Sequence, residues 1–235
     1  HENYAGRFLR MGGGEAATGD GNPGNPRRTY YSDTGRYVIP TAFDRHANYF
    51  SVGKWPNESY YLMEYSEMAW DPRCYTTVWI GSGNTVWRSM NNGASYDSIF
   101  ASPDTVAAME HIEISRSNPD VIYVTERSNA RGDGAIWRSS DAGNNWSKLS
   151  NPPATTGRDR RVSNIAVSGT DPNVLWVAYR NAATGRTIFK TTDGGQTWTN
   201  LTTAIMQDFN ISDITHQLGT DDGVYIACDG GKIFY

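Results

Sequence analysis

A chain of 235 residues with 38% hydrophobic residues, 20% charged residues and a formal net charge of −4 has the composition of a folded globular protein, which excludes disorder along its whole length. At this length one core can bury roughly 70–75% of the unfolded surface, so neither a metal nor a disulfide framework is required. No run approaches the ~18 apolar residues of a membrane span, and there is no basic excess to grip phosphate, so membrane insertion and nucleic acid are not expected.

In chain order, residues 1–61 form a segment with partial strands. Met11 to Arg28 is dominated by Gly, Asn and Pro and reads as loop, while Tyr37-Val38-Ile39 and Asn48 to Val52 read as strand-like stretches of an earlier blade or an insertion. From Leu62 onward the chain repeats itself. The segment from Val121 to Leu149 matches that from Val174 to Leu201, and a shorter copy runs from Val78 to Ile99. Each copy follows a turn string: Asp71-Pro72, Asn118-Pro119 or Asp171-Pro172. The period is about 52 residues, that of one propeller blade.

Within the second copy, short alternating runs predict strands at His111 to Ser115, Val121 to Glu126, Ala135 to Ser139 and Trp146 to Leu149. Four antiparallel strands make a blade, so the expected fold is an all-β, partial β-propeller. Its blades are expected at about 62–110, 111–163, 164–210 and, incomplete, 211–235. The fourth copy stops before its turn, as in a piece of a larger, covalently continuous protein with further domains. Aromatic residues recur in register, with Trp79, Tyr123, Trp176 and Tyr225 in the second strand and Trp87, Trp137, Phe189 and Phe234 in the third. They are expected to pack between blades and not to form a ligand cage.

Between the third and fourth strands stands Ser139-x-Asp141-x-Gly143-x-x-Trp146, repeated as Thr191-x-Asp193-x-Gly195-x-x-Trp198 and, degenerately, as Ser89-x-Asn91-x-Gly93-x-x-Tyr96. The residue types suit a hairpin: the acid accepts backbone N–H bonds, Gly takes φ > 0, and the hydroxyl closes the base. This pattern resembles the Asp-box, or bacterial neuraminidase repeat, of sialidases, Vps10-domain receptors, two-propeller xyloglucan hydrolases and many secreted propeller proteins. The resemblance implies a propeller whose boxes are structural turns on the face away from any active site. It also implies an extracellular or cell-surface setting.

No catalytic residue is carried over. The sialidase Arg-Ile-Pro motif has its nearest counterpart in Arg36-Tyr37-Val38-Ile39-Pro40, where extra residues separate Arg from Pro. If the box turns and the Asn-Pro turns share one face, the loops after the second and fourth strands share the other, and these vary in length between copies. The ligand-binding candidates are Arg127, Arg158, Arg160, Arg161, Tyr179 and Arg180, whose guanidinium groups and ring suit an acidic sugar, a sulfate or an acidic protein surface.

Cys74 and Cys228 are expected as free, buried thiols, and the four histidines have no metal-ligand spacing, so no metal or cofactor is expected. The preferred function is a non-catalytic surface module displaying loops to a glycan or surface protein. Part of a glycoside hydrolase, with catalytic residues partly outside the chain, and a structural spacer stay open.

Overall fold

The computed structural model describes residues 19–25, 28–33, 37–42, 68–93, 95–128, 134–150, 153, 162–180, 182–207 and 209–235. No helix occurs among them. The strands are β1 (Gly19–Gly21), β2 (Arg28–Asp33), β3 (Tyr37–Ala42), β4 (Met68–Trp70), β5 (Val78–Ser82), β6 (Thr85–Ser89), β7 (Asp97–Ala101), β8 (Ala107–Ile114), β9 (Ile122–Ser128), β10 (Gly134–Ser139), β11 (Ser147–Lys148), β12 (Val162–Val167), β13 (Leu175–Tyr179), β14 (Ile188–Thr191), β15 (Thr199–Asn200), β16 (Ile211–His216), β17 (Val224–Cys228) and β18 (Lys232–Phe234). They form antiparallel meanders β1-β2-β3, β4-β5-β6-β7, β8-β9-β10-β11, β12-β13-β14-β15 and β16-β17-β18.

The last four meanders are the propeller blades. Their first strands lie side by side: β8 touches β4 and β5, β12 touches β8, and β16 touches β12. The first strand of each blade is therefore the innermost, nearest the axis. A separate apolar cluster fills each gap between blades. Trp79, Met109, Ile122 and Val124 join the first to the second, Tyr123, Ile136, Ile165 and Val177 join the second to the third, and Trp176, Ile188, Ile214 and Ile226 join the third to the fourth. Strands between two such gaps are buried on both faces, which is why Leu175 to Tyr179 are apolar without alternation and all buried. Each large side chain so enclosed contributes ~1.5–3 kcal/mol of transfer free energy.

The second-strand aromatics Trp79, Tyr123 and Trp176 are 2%, 0% and 1% exposed, as packing between blades requires, whereas Tyr225, on the fourth sheet, is 43% exposed. Cations continue the pattern. Arg88, Arg138 and Lys190 pair across strands with those rings and lie over them, at 5.1, 5.8 and 5.4 Å from the centroids. Each then reaches the next blade: Arg88 donates to the Ala142 carbonyl, Arg138 to Asn173 Oδ1 at 3.1 Å, and Lys190 to Asp222 Oδ1 at 2.6 Å. Arg73 adds a bond to Asp120 Oδ1 at 2.6 Å.

Four expectations are corrected. Gly19–Gly21, within the segment read as loop, is a strand paired with Thr29 to Tyr31; its partner's ladder, not its own propensity, extends it. The second blade's inner strand begins at Ala107 and not at His111, because a β-bulge between Met109 and Ile112 breaks the alternation that marks a strand. Trp146 precedes its strand, with its indole turned into the gap between blades. Cys74 and Cys228 are both free, but Cys74 is exposed in the turn after β4, with Sγ 3.0 Å from Thr76 Oγ1. Asn48 to Val52 lie outside the described residues.

Close approach between blades calls for glycine at Gly143. Gly143 has φ +86°, and a Cβ there would sit 2.5 Å from the Trp79 ring of the preceding blade. Gly185, with φ +77°, has nothing within 4 Å. Gly143→Ala should therefore destabilise the protein by about 2–5 kcal/mol, combining backbone strain with overpacking, against about 1–2 for Gly185→Ala. Urea denaturation of the two variants checks this; equal losses would contradict it.

Candidate functional site

The three repeated turns share one geometry. Ser139 Oγ donates to Asp141 Oδ1 at 2.8 Å and accepts from Gly143 N at 2.9 Å. Asp141 also accepts from Asn145 N and Nδ2, at 2.8 and 2.6 Å. Thr191, Asp193, Gly195 and Thr197 reproduce this, at 2.7 Å from Thr191 Oγ1 to Asp193 Oδ1 and 2.6 Å from Thr197 Oγ1 to Asp193 Oδ2. In the first copy Ser89 bonds Asn91 and Gly93, and Asn91 Nδ2 donates to Ser95 Oγ at 2.9 Å. Two successive residues take φ > 0 in every copy, at Asn92-Gly93, Ala142-Gly143 and Gly194-Gly195; the spacing alone pointed only to the second. Trp146 donates Nε1–H to the Gly143 carbonyl at 2.9 Å and stacks 5.2 Å from Phe100, and Trp198 packs on the next cluster as Tyr96 does on the first blade's own.

These turns bond the Asn-Pro turns of their own blade: Ala142 N donates to Asp120 O at 2.9 Å, Gly194 N to Asn173 O at 2.9 Å, and Asn92 N to Thr76 O at 2.8 Å. Both turn sets therefore occupy one face of the propeller, and their polar atoms are spent on each other. The remaining loops lie on the opposite face.

On that loop face each inner strand of the second to fourth blades carries a bulge near its start. The irregularities fall at Met109/Ile112, Val162/Asn164 and Ile211/Asp213. A bulge re-aims side chains at a rim, and here it gathers polar ones. Glu110 is 1% exposed, with Arg127 Nε 3.2 Å from its Oε1. Asn164 Nδ2 donates to Asp213 Oδ1 at 2.8 Å across blades. Ser163 Oγ is buried without a hydrogen-bond partner among the described residues. Nearby, Glu126 accepts the Trp137 Nε1–H at 2.6 Å. Exposed apolar side chains stand on the same face at Val106 and Ile205, 51% and 71% exposed.

Of the ligand-binding candidates, Arg127 belongs to this rim as the partner of Glu110. Arg180 is exposed where β13 ends on the loop face. Tyr179 is 3% exposed, edge-on to Phe189 at 5.9 Å, and burial pushes its phenol well above the usual range; its ring is core, not a stacking platform. Arg158, Arg160 and Arg161 lie outside the described residues. Sequence reasoning missed Asn164 and Asp213, since a bulge leaves no periodic signal. Among the described residues no group of three or more His, Cys, Asp or Glu side chains is placed to hold a metal.

Blades of antiparallel meander arranged around an axis, with matched turns on one face, define a β-propeller. Residues 84–232, more than half of the chain, match the profile of the Sortilin-Vps10 family, described as "Sortilin, neurotensin receptor 3", and the chain belongs to that family. Among solved structures it is similar to the GH74 enzyme of Niastella koreensis (17% identity, TM-score 0.68, covering 94% of this chain and 36% of that one). It is also similar to an ancestral GH74 enzyme (15%, 0.67, 96% and 29%) and to the GH74 xyloglucanase of Xanthomonas campestris (18%, 0.61, 92% and 37%). The chain thus spans about a third of the length of these enzymes, and at such identities the likeness establishes the fold. No curated protein sequence matches it.

Hydrogen bonds hold the turn carboxylates below their usual range: for Asp193 chiefly that from the Thr197 hydroxyl, for Asp141 chiefly that from the Asn145 amide. A folded-state pKa below the unfolded ~3.9 stabilises the fold above that value and ceases to do so as pH falls through the folded pKa. Asp193→Asn imitates Asn91, because Thr197 can accept from the new amide as Ser95 does. Urea midpoints from pH 7 down to about pH 2 should fall less steeply in Asp193→Asn than in the parent; parallel slopes would contradict the carboxylate's role.

Proposed function

We propose that the chain is the propeller part of a secreted or cell-surface protein, that its repeated turns are Asp-boxes serving as structural clamps, and that its loop face binds a glycan or a protein without catalysing a reaction on it. One observation carries this reading. The repeated turns are tied to the Asn-Pro turns of their own blades, whereas the loop face gathers Glu110, Arg127, Asn164 and Asp213 at bulges beside exposed Val106 and Ile205. A rigid scaffold with variable loops over a polar rim suits recognition. The receptor named in the family description accords with a binding role, though its ligand belongs to that protein.

A second reading makes the chain part of a glycoside hydrolase, as its GH74 neighbours are. Buried Glu110 and Glu126 favour it, because such enzymes work with two carboxylates. Against it, each is already engaged, by Arg127 and by Trp137, where a general acid must hold a proton it can give to the substrate.

Immobilised glycan and surface-protein panels decide between them. The chain should bind a member of the panel, and Arg180→Ser with Ile205→Ser should weaken that binding at least about fivefold, ~1 kcal/mol, while Met90→Ser on the turn face leaves it unchanged. Absence of binding, or hydrolysis of a xyloglucan or sialoside lost in Glu110→Gln, would overturn the binding reading.

A further inference from the structure

Asn92-Gly93 is the one Asn-Gly pair in the chain, and it lies within the first blade's repeated turn. Such a pair can modify itself. Once solvent base has taken its proton, the glycine nitrogen can form a bond to the asparagine Cγ while the side-chain amide leaves as ammonia. Water then opens the resulting succinimide on one side or the other. The products are aspartate and isoaspartate, the second with its backbone running through the side-chain carboxyl. Glycine is the favoured second residue because no Cβ shields its nitrogen.

The turn stops this route at its first step. Gly93 is buried, and its N–H donates to Ser89 Oγ at 2.8 Å. Asn92 is held beside it: its N–H donates to Thr76 O at 2.8 Å and its Oδ1 accepts from Asn22 Nδ2 at 3.4 Å. Base must therefore reach an amide proton committed to a turn hydroxyl. Hydrogen exchange at the same amide has the same requirement, an opening of the local structure.

The turn does not need asparagine there. The other copies place Ala142-Gly143 and Gly194-Gly195 at the same two positions, all with φ > 0, and Ala142 at +55° matches Asn92 at +59°. We propose that Asn92-Gly93 is a self-modification site of the first blade, latched by the Ser89 hydroxyl and reactive only while that turn is open. Isoaspartate adds a backbone carbon between the N–H that Thr76 holds and the N–H that Ser89 holds, so the turn cannot close as before. An opening is thereby recorded as a lasting covalent change. The site is independent of any ligand on the loop face.

Peptide mapping by mass spectrometry tests this on the whole chain, kept folded or unfolded in urea at mildly alkaline pH. In urea Asn92 should be the first asparagine converted to acid. In the folded chain its conversion should be slowed by the same factor as hydrogen exchange at the Gly93 amide, a comparison that needs no variant. Ser89→Ala should hasten the folded-state conversion about 5–30-fold, corresponding to ~1–2 kcal/mol, and leave the rate in urea unchanged. Ser89→Thr restores the hydroxyl that Thr191 gives Gly195 in the third copy, and should keep the parent's slow rate. Asn92→Ala, which imitates Ala142, should fold and leave this peptide unmodified. Conversion as fast in the folded parent as in urea, a rate that does not follow exchange at Gly93, or a folded-state rate indifferent to Ser89→Ala would overturn the proposal.

Discussion

The structure depends on how closely one blade's turn approaches the blade before it. A hydroxyl at Ser139 or Thr191 fixes both the acid two residues on and the glycine amide four residues on, which pins that glycine in the left-handed region. Held there, Gly143 packs against Trp79 and Gly195 against Leu149, so that a Cβ at either would lie 2.5 Å from the neighbouring side chain. The turn therefore sets the spacing between sheets as well as closing its own hairpin. A repeat protein gains stability from such neighbour contacts more than from any one unit, and here the same few atoms serve the hairpin and the interface together.

Cations complete the attachment. Arg88, Arg138 and Lys190 each cover an aromatic ring of their own blade and end on an acceptor of the next, so packing and hydrogen bonding across the gap are supplied by one side chain. In the fourth blade Tyr235 stands where the cation would be and lies tilted against Tyr225, with ring centroids 5.0 Å apart. These clasps concentrate polar bonding between blades on the turn face, while the bulges gather polar side chains on the loop face.

What the sequence disclosed was local. Ser, Asp, Gly and Trp at fixed spacing describe a turn whose bonds close within eight residues, so its geometry follows from those residues alone, and the aromatic register followed from their recurrence. What it concealed was cooperative. An extra residue in an inner strand, at Glu110-His111, Ser163 or Ser212, looks like a lapse in alternation and declares itself only against its partner strand. Tyr179 reads as a platform beside Arg180 until the neighbouring blade covers it. Gly19–Gly21 is a strand only through its pairing.

The central claim is that the turns hold the blades to one another, not merely to themselves. Native-state hydrogen exchange at Gly93, Gly143 and Gly195 tests it most directly, because each amide donates to the turn hydroxyl. The account predicts that the three exchange only through the largest opening that also frees the interior strands β9 and β13, with a common free energy and a common dependence on urea. Exchange of these amides through small, independent openings, while β9 and β13 stay protected, would contradict it.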